Sequence, residues 1–197
     1  RELALALIAA YRAGEVSIER ICQIQSEVLG DRTRVELDAV LDLVAARVAA
    51  RIRPAVRVIV EEAARAGVPV HVVTGSLGAA VANTLRRAGL VHATISGATL
   101  RAEGDRVLPS LAHPIPLHGG KVDALRAVGA WPPALGLGDG GWDATFLGGC
   151  AVPLLVHPSD ALLHAMLPVG GVMILRDGLV SPRRTGPLNP DRDPTQP

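Results

Sequence analysis

"VPVHVVTGSLGAAVANTLRRAGL", Val68 to Leu90, opens with a run of β-branched residues, ends that run in Thr74, Gly75 and Ser76, and passes directly into apolar residues at three- and four-residue spacing. The first half reads as a buried strand and the second as a helix. Upstream, "PAVRVIVEEAARAG" reads as a helix opened by Pro54 and stopped by Gly67. Downstream the order repeats. "VHATISGATLRAEGDRVLP" reads as a short strand with a hairpin, "GGKVDALRAVG" as a helix, and "PALGLGDGG" and "CAVPLLVHP" as strands. The helix "SDALLHAML" and the strand "GVMILRDG" complete the set. Such alternation with continuous apolar strands predicts an α/β fold, a parallel sheet covered by helices on both faces.

Residues 1–52 differ in texture. "RELALALIAAYRAG", "SIERICQIQSEVLG" and "RVELDAVLDLVAARVAARI" are helical throughout, with Gly14 and Gly30 as stops. In the third stretch Val35, Leu37, Val40, Leu41, Val44, Val48 and Ile52 spread along one broad apolar face. The expected organisation is a small helical lobe over 1–52, an α/β core over 53–180 and a Pro-rich tail over 181–197, "SPRRTGPLNPDRDPTQP", too poor in large apolar groups to pack.

The bulk numbers narrow the function classes. The chain has 197 residues, enough for one domain with a core or one domain plus a small lobe. A net charge of +1 and the absence of a basic block interleaved with aromatics argue against a nucleic-acid surface, so the partner is a small molecule. Cys22 and Cys150 form no metal-ligand or disulfide pattern, which suits a reducing cytoplasm. No apolar run is long enough to span a bilayer, so no membrane partner is expected. A homodimer is left open.

Ligands of an open α/β sheet bind beyond the carboxyl ends of the strands. Three places meet that condition: Thr74, Gly75 and Ser76 after "VPVHVV"; His118 and Lys121 at the helix start "HGGK"; and Asp139 and Asp143 after "ALGLG". A hydroxyl and backbone N–H groups bind phosphoryl oxygens, an ammonium neutralises them, and a carboxylate holds Mg²⁺. Plainer readings stand beside these. Thr-Gly-Ser also serves as a helix N-cap, and Asp139 with Gly140 and Gly141 as a turn. Gly136, Gly138 and Gly141 fall at dinucleotide-fingerprint spacing, but no acidic residue closes a second strand about 20 residues on. In "HPSDALLH", His157, Asp160 and His164 could face a metal, while Ser159 or Asp160 more simply caps the helix. His71 reads as a hydrogen-bonded core residue.

"VVTGS", "HGGKVDAL" and "GLGDGGWD", in that order and each at a strand end or helix start, resemble motifs II, III and IV of the haloacid dehalogenase superfamily, in the branch similar to phosphoserine phosphatase. The resemblance covers about 1–178. It implies a doubly wound, mostly parallel Rossmann-like sheet with a helical cap before Pro54. By it, Thr74 binds the transferring phosphoryl group, Lys121 neutralises it, Asp139 holds Mg²⁺ and Asp143 supports that metal directly or through water. The glycines around Asp139 would let the backbone turn sharply off the strand. Trp142 stands where many relatives carry a small or polar residue.

The same resemblance implies a motif I strand ending in D-x-D-x-T/V, whose first aspartate is the nucleophile, and no strand of that kind is found. Asp38 and Asp42 lie on a helical stretch. In the family that strand sits between those of motifs II and IV, so its loss leaves two core strands unpaired. About five or six residues of lost pairing, at roughly 0.5–1.5 kcal/mol per hydrogen bond, is a large share of a stability of about 5–15 kcal/mol. Residue 1 is Arg and a helix follows at once, so the expectation is that motif I lies upstream of Arg1, in the first roughly 10–30 residues of a longer chain; the alternative is that a different element fills its slot. The expected function is a Mg²⁺-dependent phosphohydrolase of a small phosphorylated metabolite acting through an aspartyl-phosphate. The alternatives are a non-catalytic ligand- or partner-binding relative and a phosphotransferase.

Overall fold

A computed structural model describes residues 6–7, 9–11, 13–176 and 178–182. The expected helix at 1–14 therefore lies partly outside the described residues, and so does the expected tail from residue 183 onward. Local capping sets the first elements. The Ser17 hydroxyl accepts the Arg20 N–H at 3.2 Å to start α1 (Ile18–Leu29). Thr33 and Glu36 form a reciprocal capping box that starts α2 (Arg34–Ala49). Pro54 opens α3 (Pro54–Arg65). There follow β1 (Val70–Leu77), α4 (Gly78–Arg87), the hairpin β2 (Ala93–Glu103) and β3 (Arg106–Ala112), and α5 (Gly119–Ala127). The chain continues as β4 (Leu135–Gly138), a 3₁₀ turn Gly141–Asp143, α6 (Ala144–Leu147), β5 (Val152–Val156), α7 (Asp160–Ala165), β6 (Met173–Arg176) and β7 (Leu179–Pro182).

The strands form two sheets. In the first, β1 runs parallel to β2 and β2 antiparallel to β3. In the second, β4, β5 and β6 are parallel and β7 closes the order antiparallel. The fold is α/β with mostly parallel pairing and no closed barrel. Among the described residues β1 and β4 are both terminal strands, each paired on one side only. The reading of β1 as buried is corrected: from Val70 to Gly75 the strand is only half-buried.

Contacts divide the chain into two compact units, Arg1–Pro132 and Pro133–Pro197. The first has its core around Cys22, Leu41, Leu77, Ala98 and Leu111. Here α1 packs on β3 and α2 on α4, where Asp42 pairs with Arg86 and Arg87. The link between α1 and α2 runs beside β3 as an added piece of strand: Asp31 N–H donates to the Val107 carbonyl, and Val107 N–H to the Arg32 carbonyl, both at 2.8 Å. The amino-terminal helices are thus stitched to the hairpin by backbone bonds. The second unit has its own core, in which Leu147, Leu155 and Leu162 are wholly buried, each contributing about 1.5–3 kcal/mol.

Several sequence expectations change. On α2 the buried residues are Leu41 and Ala45, while Val35, Val44 and Val48 are exposed, so the broad apolar face is only partly used. β2 is 11 residues long rather than short. Ser181 and Pro182 belong to β7, where they pair with Ile174 and Met173, and so lie in the sheet rather than in the tail.

Candidate active site

At the end of β1 regular pairing stops at Thr74, which faces Gly97, and resumes at Leu77, which faces Ala98, so Gly75 and Ser76 bulge out of the ladder. The Ser76 N–H donates to Thr74 Oγ1 at 3.0 Å, which leaves the hydroxyl proton available to another acceptor. The N-cap reading of this triplet is therefore corrected. The residue that caps α4 is Leu77, with no side-chain bond, because Thr74, Gly75 and Ser76 still belong to β1 and its bulge, ahead of the helix start. Gly75 is fixed from two sides: a Cβ there would stand 2.3 Å from Leu117 Cδ2, and its carbonyl accepts the Cys22 thiol at 3.6 Å. Burial, with a smaller push from Glu19, raises the Cys22 pKa and keeps it a neutral donor.

The second element meets the first there. Leu117 is followed by His118, held at φ 47° and ψ −121°, with the Gly120 N–H closing the turn onto the Leu117 carbonyl at 2.8 Å. That conformation suits glycine, so a histidine there is strained. Gly120 cannot carry a side chain, because a Cβ would lie 2.8 Å from the Ile115 carbonyl oxygen. The turn delivers Lys121 into the first turn of α5, where it is buried at 6% exposure. His118 stays exposed, its Nε2 3.8 Å from Glu19 Oε1 on α1. The Glu19 carboxyl is held below the usual range, first by its own backbone N–H and the Ser17 hydroxyl, then by His118.

In the second unit Asp139 is exposed at the carboxyl end of β4. Asp143 is buried at 4% exposure, and its Oδ2 accepts the N–H groups of Asp139 at 3.0 Å and Gly140 at 3.1 Å. This carboxylate braces the loop that presents Asp139, with Oδ2 committed to two backbone donors. The glycines also do something other than expected. None from Gly136 to Gly141 has positive φ. They provide clearance, since a Cβ on Gly138 would stand 2.8 Å from Asp143 Oδ2, one on Gly140 2.5 Å from the Trp142 ring, and one on Gly136 2.3 Å from Cys150 Sγ.

The remaining candidates resolve simply. The expectation of a hydrogen-bonded His71 is not met at one ring atom: its Nδ1 is buried and has no partner. Ser159 caps α7 by accepting the Leu162 N–H at 3.3 Å, and no group of three His, Cys, Asp or Glu side chains among the described residues could hold a metal. Glu19, Gln23, Ser110 and His113, which line a groove of about 870 Å³ beside the His118 turn, escaped the sequence reading. One signal was present: Glu19, Gln23 and Ser26 recur at helical spacing on α1, a polar stripe within an otherwise apolar-patterned helix.

The haloacid dehalogenase-like hydrolase family model matches residues 1–147. No curated protein matches the sequence. Among solved structures, a protein of unknown function from Bordetella pertussis Tohama I is similar over 87% of this chain and 79% of its own, at 20% identity and a TM-score of 0.70. A HAD family hydrolase from Salmonella enterica serovar Typhi is similar over 81% of this chain and 54% of its own, at 17% identity and a TM-score of 0.60. A phosphoserine phosphatase, solved as a phospho-aspartyl intermediate analogue, is similar over 83% of this chain and 77% of its own, at 16% identity and a TM-score of 0.58. No described helix is long and apolar enough to cross a membrane.

Proposed function

Since the chain belongs to the haloacid dehalogenase-like hydrolase family, we propose that it is a Mg²⁺-dependent phosphohydrolase of a small phosphorylated metabolite. The observation that supports this most is the junction of the Thr74–Ser76 bulge with the turn before Lys121, made where Leu117 lies on Gly75. It sets a hydroxyl donor and a lysine on neighbouring segments of one unit. Thr74 Oγ1 donates its proton to a phosphoryl oxygen, and the Lys121 ammonium offsets the dianion's charge. His118 lies at the outer end of the same turn and contacts the ester.

Asp139 would hold Mg²⁺, and Asp143 would act by fixing the Asp139 loop. An exposed carboxylate on a braced strand end fits that ion, which takes one or two carboxylates and completes its shell with water and phosphate. When bound, Mg²⁺ supplies positive charge against the phosphoryl oxygens. The nucleophile is an aspartate. Its carboxylate oxygen forms a bond to phosphorus as the ester P–O bond breaks and the leaving alkoxide takes up a proton; water then attacks phosphorus, releasing phosphate and restoring the carboxylate.

The letters D-x-D-x-T occur in this sequence at Asp191–Thr195, without the apolar strand that must precede them. The reading requires a strand-end aspartate beyond the described residues to act as the nucleophile. Phosphate release by the full-length natural protein, with Mg²⁺ and with the metal chelated, tests it. Metal-dependent release is expected, and none from any small ester would overturn it. In that protein Asp139→Asn is expected to lower kcat about a thousandfold by removing a metal-ligand charge; unchanged turnover refutes the role. One observation favours a second reading, a relative that binds phosphate without turnover: the described residues contain no strand-end aspartate pair of the motif I kind. A phosphotransferase would use the same residues.

A further inference from the structure

The groove beside the His118 turn lies within the first unit and has a volume of about 870 Å³. Its walls are α1, through Glu19, Arg20 and Gln23, the end of β3 at Ser110, and the loop containing His113 and His118. Leu117, which also covers Gly75, and His118, in the turn before Lys121, both line it, so it borders the proposed phosphate-binding segments. Resting on the phosphohydrolase reading, we propose that this groove holds the alcohol portion of the ester and selects a sugar-sized polyol or amino-polyol phosphate over a carboxylate-bearing one.

Three features carry the selection. The first is charge. Glu19 is an anion at neutral pH, its carboxyl held low by its own backbone N–H and the Ser17 hydroxyl. The guanidinium in the lining, Arg20, is already paired with Glu27 at 2.7 Å, and any charge on His118 is directed at Glu19, 3.8 Å away. A substrate carboxylate would meet Glu19 without a free guanidinium to offset it, whereas an ammonium or hydroxyl meets an acceptor. The second is hydrogen-bonding capacity. The Gln23 amide, the Ser110 hydroxyl and the His113 ring offer both donors and acceptors, which suits hydroxyl groups. The third is size, because about 870 Å³ lies near the top of the roughly 300–1,000 Å³ usual for small-molecule sites, far more than a three-carbon leaving group fills.

The test uses the full-length natural protein and two commercial probes, glucosamine 6-phosphate and phosphoserine. Calorimetric titration with the metal chelated, so that the probes are not hydrolysed, reads the groove independently of turnover. Glucosamine 6-phosphate is expected to bind at least about tenfold tighter, and Glu19→Gln to reduce the ratio to about threefold or less, since one charge-assisted hydrogen bond is lost. Equal affinities, tighter binding of phosphoserine, or a ratio that Glu19→Gln leaves unchanged would each overturn the proposal. Release of phosphate from p-nitrophenyl phosphate is followed alongside. Its absence counts against the phosphohydrolase reading, while its presence without discrimination between the two probes counts against the groove alone. Should Glu19→Gln disturb α1, Gln23→Leu provides a second reading, with weaker glucosamine 6-phosphate binding expected and no change overturning the assignment.

Discussion

Two glycine-rich strand ends carry the candidate chemistry, and they are built on opposite principles. At the end of β1, order is imposed from outside: Gly75 is pressed by Leu117 and tethered by Cys22, and the strained backbone next to it belongs to His118, a residue with a side chain. At the end of β4, order comes from within, because Asp143 turns back onto the N–H groups of Asp139 and Gly140, and the glycines exist to let that carboxylate and the Trp142 ring approach. The first arrangement leaves the Thr74 hydroxyl proton available; the second commits one oxygen of a carboxylate so that another one stays put. A similar glycine signal therefore marks a strand end packed from outside in one place and an internal brace in the other.

The contrast breaks most visibly at Asp143. Asp143→Ala strands two backbone donors in a buried corner, and a loss of about 2–5 kcal/mol of unfolding free energy is expected from the urea midpoint. A loss below about 1 kcal/mol would mean that the brace is not one. The equivalent change at the other strand end, Thr74→Val, should cost little stability, because Oγ1 makes one exposed bond to Ser76. Its expected effect is on rate, a fall of about a hundredfold in kcat for phosphate release by the full-length protein, as for other donors aimed at developing charge. If Thr74→Val destabilised the fold as much as Asp143→Ala, the two ends would be alike after all.

The sequence made the order of elements legible because local signals decided it. Ser17, the Thr33 and Glu36 box, Pro54 and Ser159 each open a helix by satisfying or removing an amino-terminal N–H, which needs no tertiary partner. What stayed hidden depends on neighbours distant in sequence. Nothing local tells Leu41 and Ala45, which pack inward, from Val44 and Val48, which stay exposed, since that choice is set by α4 and β3. The bulge at Gly75 and Ser76 is set by Leu117 and Cys22, and His71 reads as a satisfied core residue until the strand beside it proves half-open. Thr74, Lys121 and Asp139 are candidates picked out by their order along the chain; the backbone bonds of Asp143 were not legible there, because a carboxylate one turn away looks the same whether it binds a cation or a backbone amide.

A smaller effect sharpens the outside-imposed half. His118→Gly removes the penalty of a β-carbon at φ 47°, and a gain of up to about 1 kcal/mol is expected in the same urea experiment, offset in part by the unfolded-state entropy of glycine. A loss of stability would mean that the His118 side chain, through Glu19, outweighs the strain of its backbone.

The smallest effect compares the two thiols. Cys22 donates to the Gly75 carbonyl in one unit, and Cys150 donates to the Phe146 carbonyl at 3.2 Å while lying against Gly136 in the other. Burial pushes the Cys150 pKa up from 9.0 to about 11. A group that holds its proton more tightly in the folded state contributes stability below its unfolded pKa and loses it as pH rises through the folded one, so unfolding free energy should fall between about pH 9 and 11. Cys150→Ala should flatten that slope without abolishing it, because the Cys22 thiol is raised as well. An unchanged slope would show that the Cys150 thiolate forms as readily in the fold as out of it, and that the β4 end is less closed around Gly136 than the contact with Sγ implies.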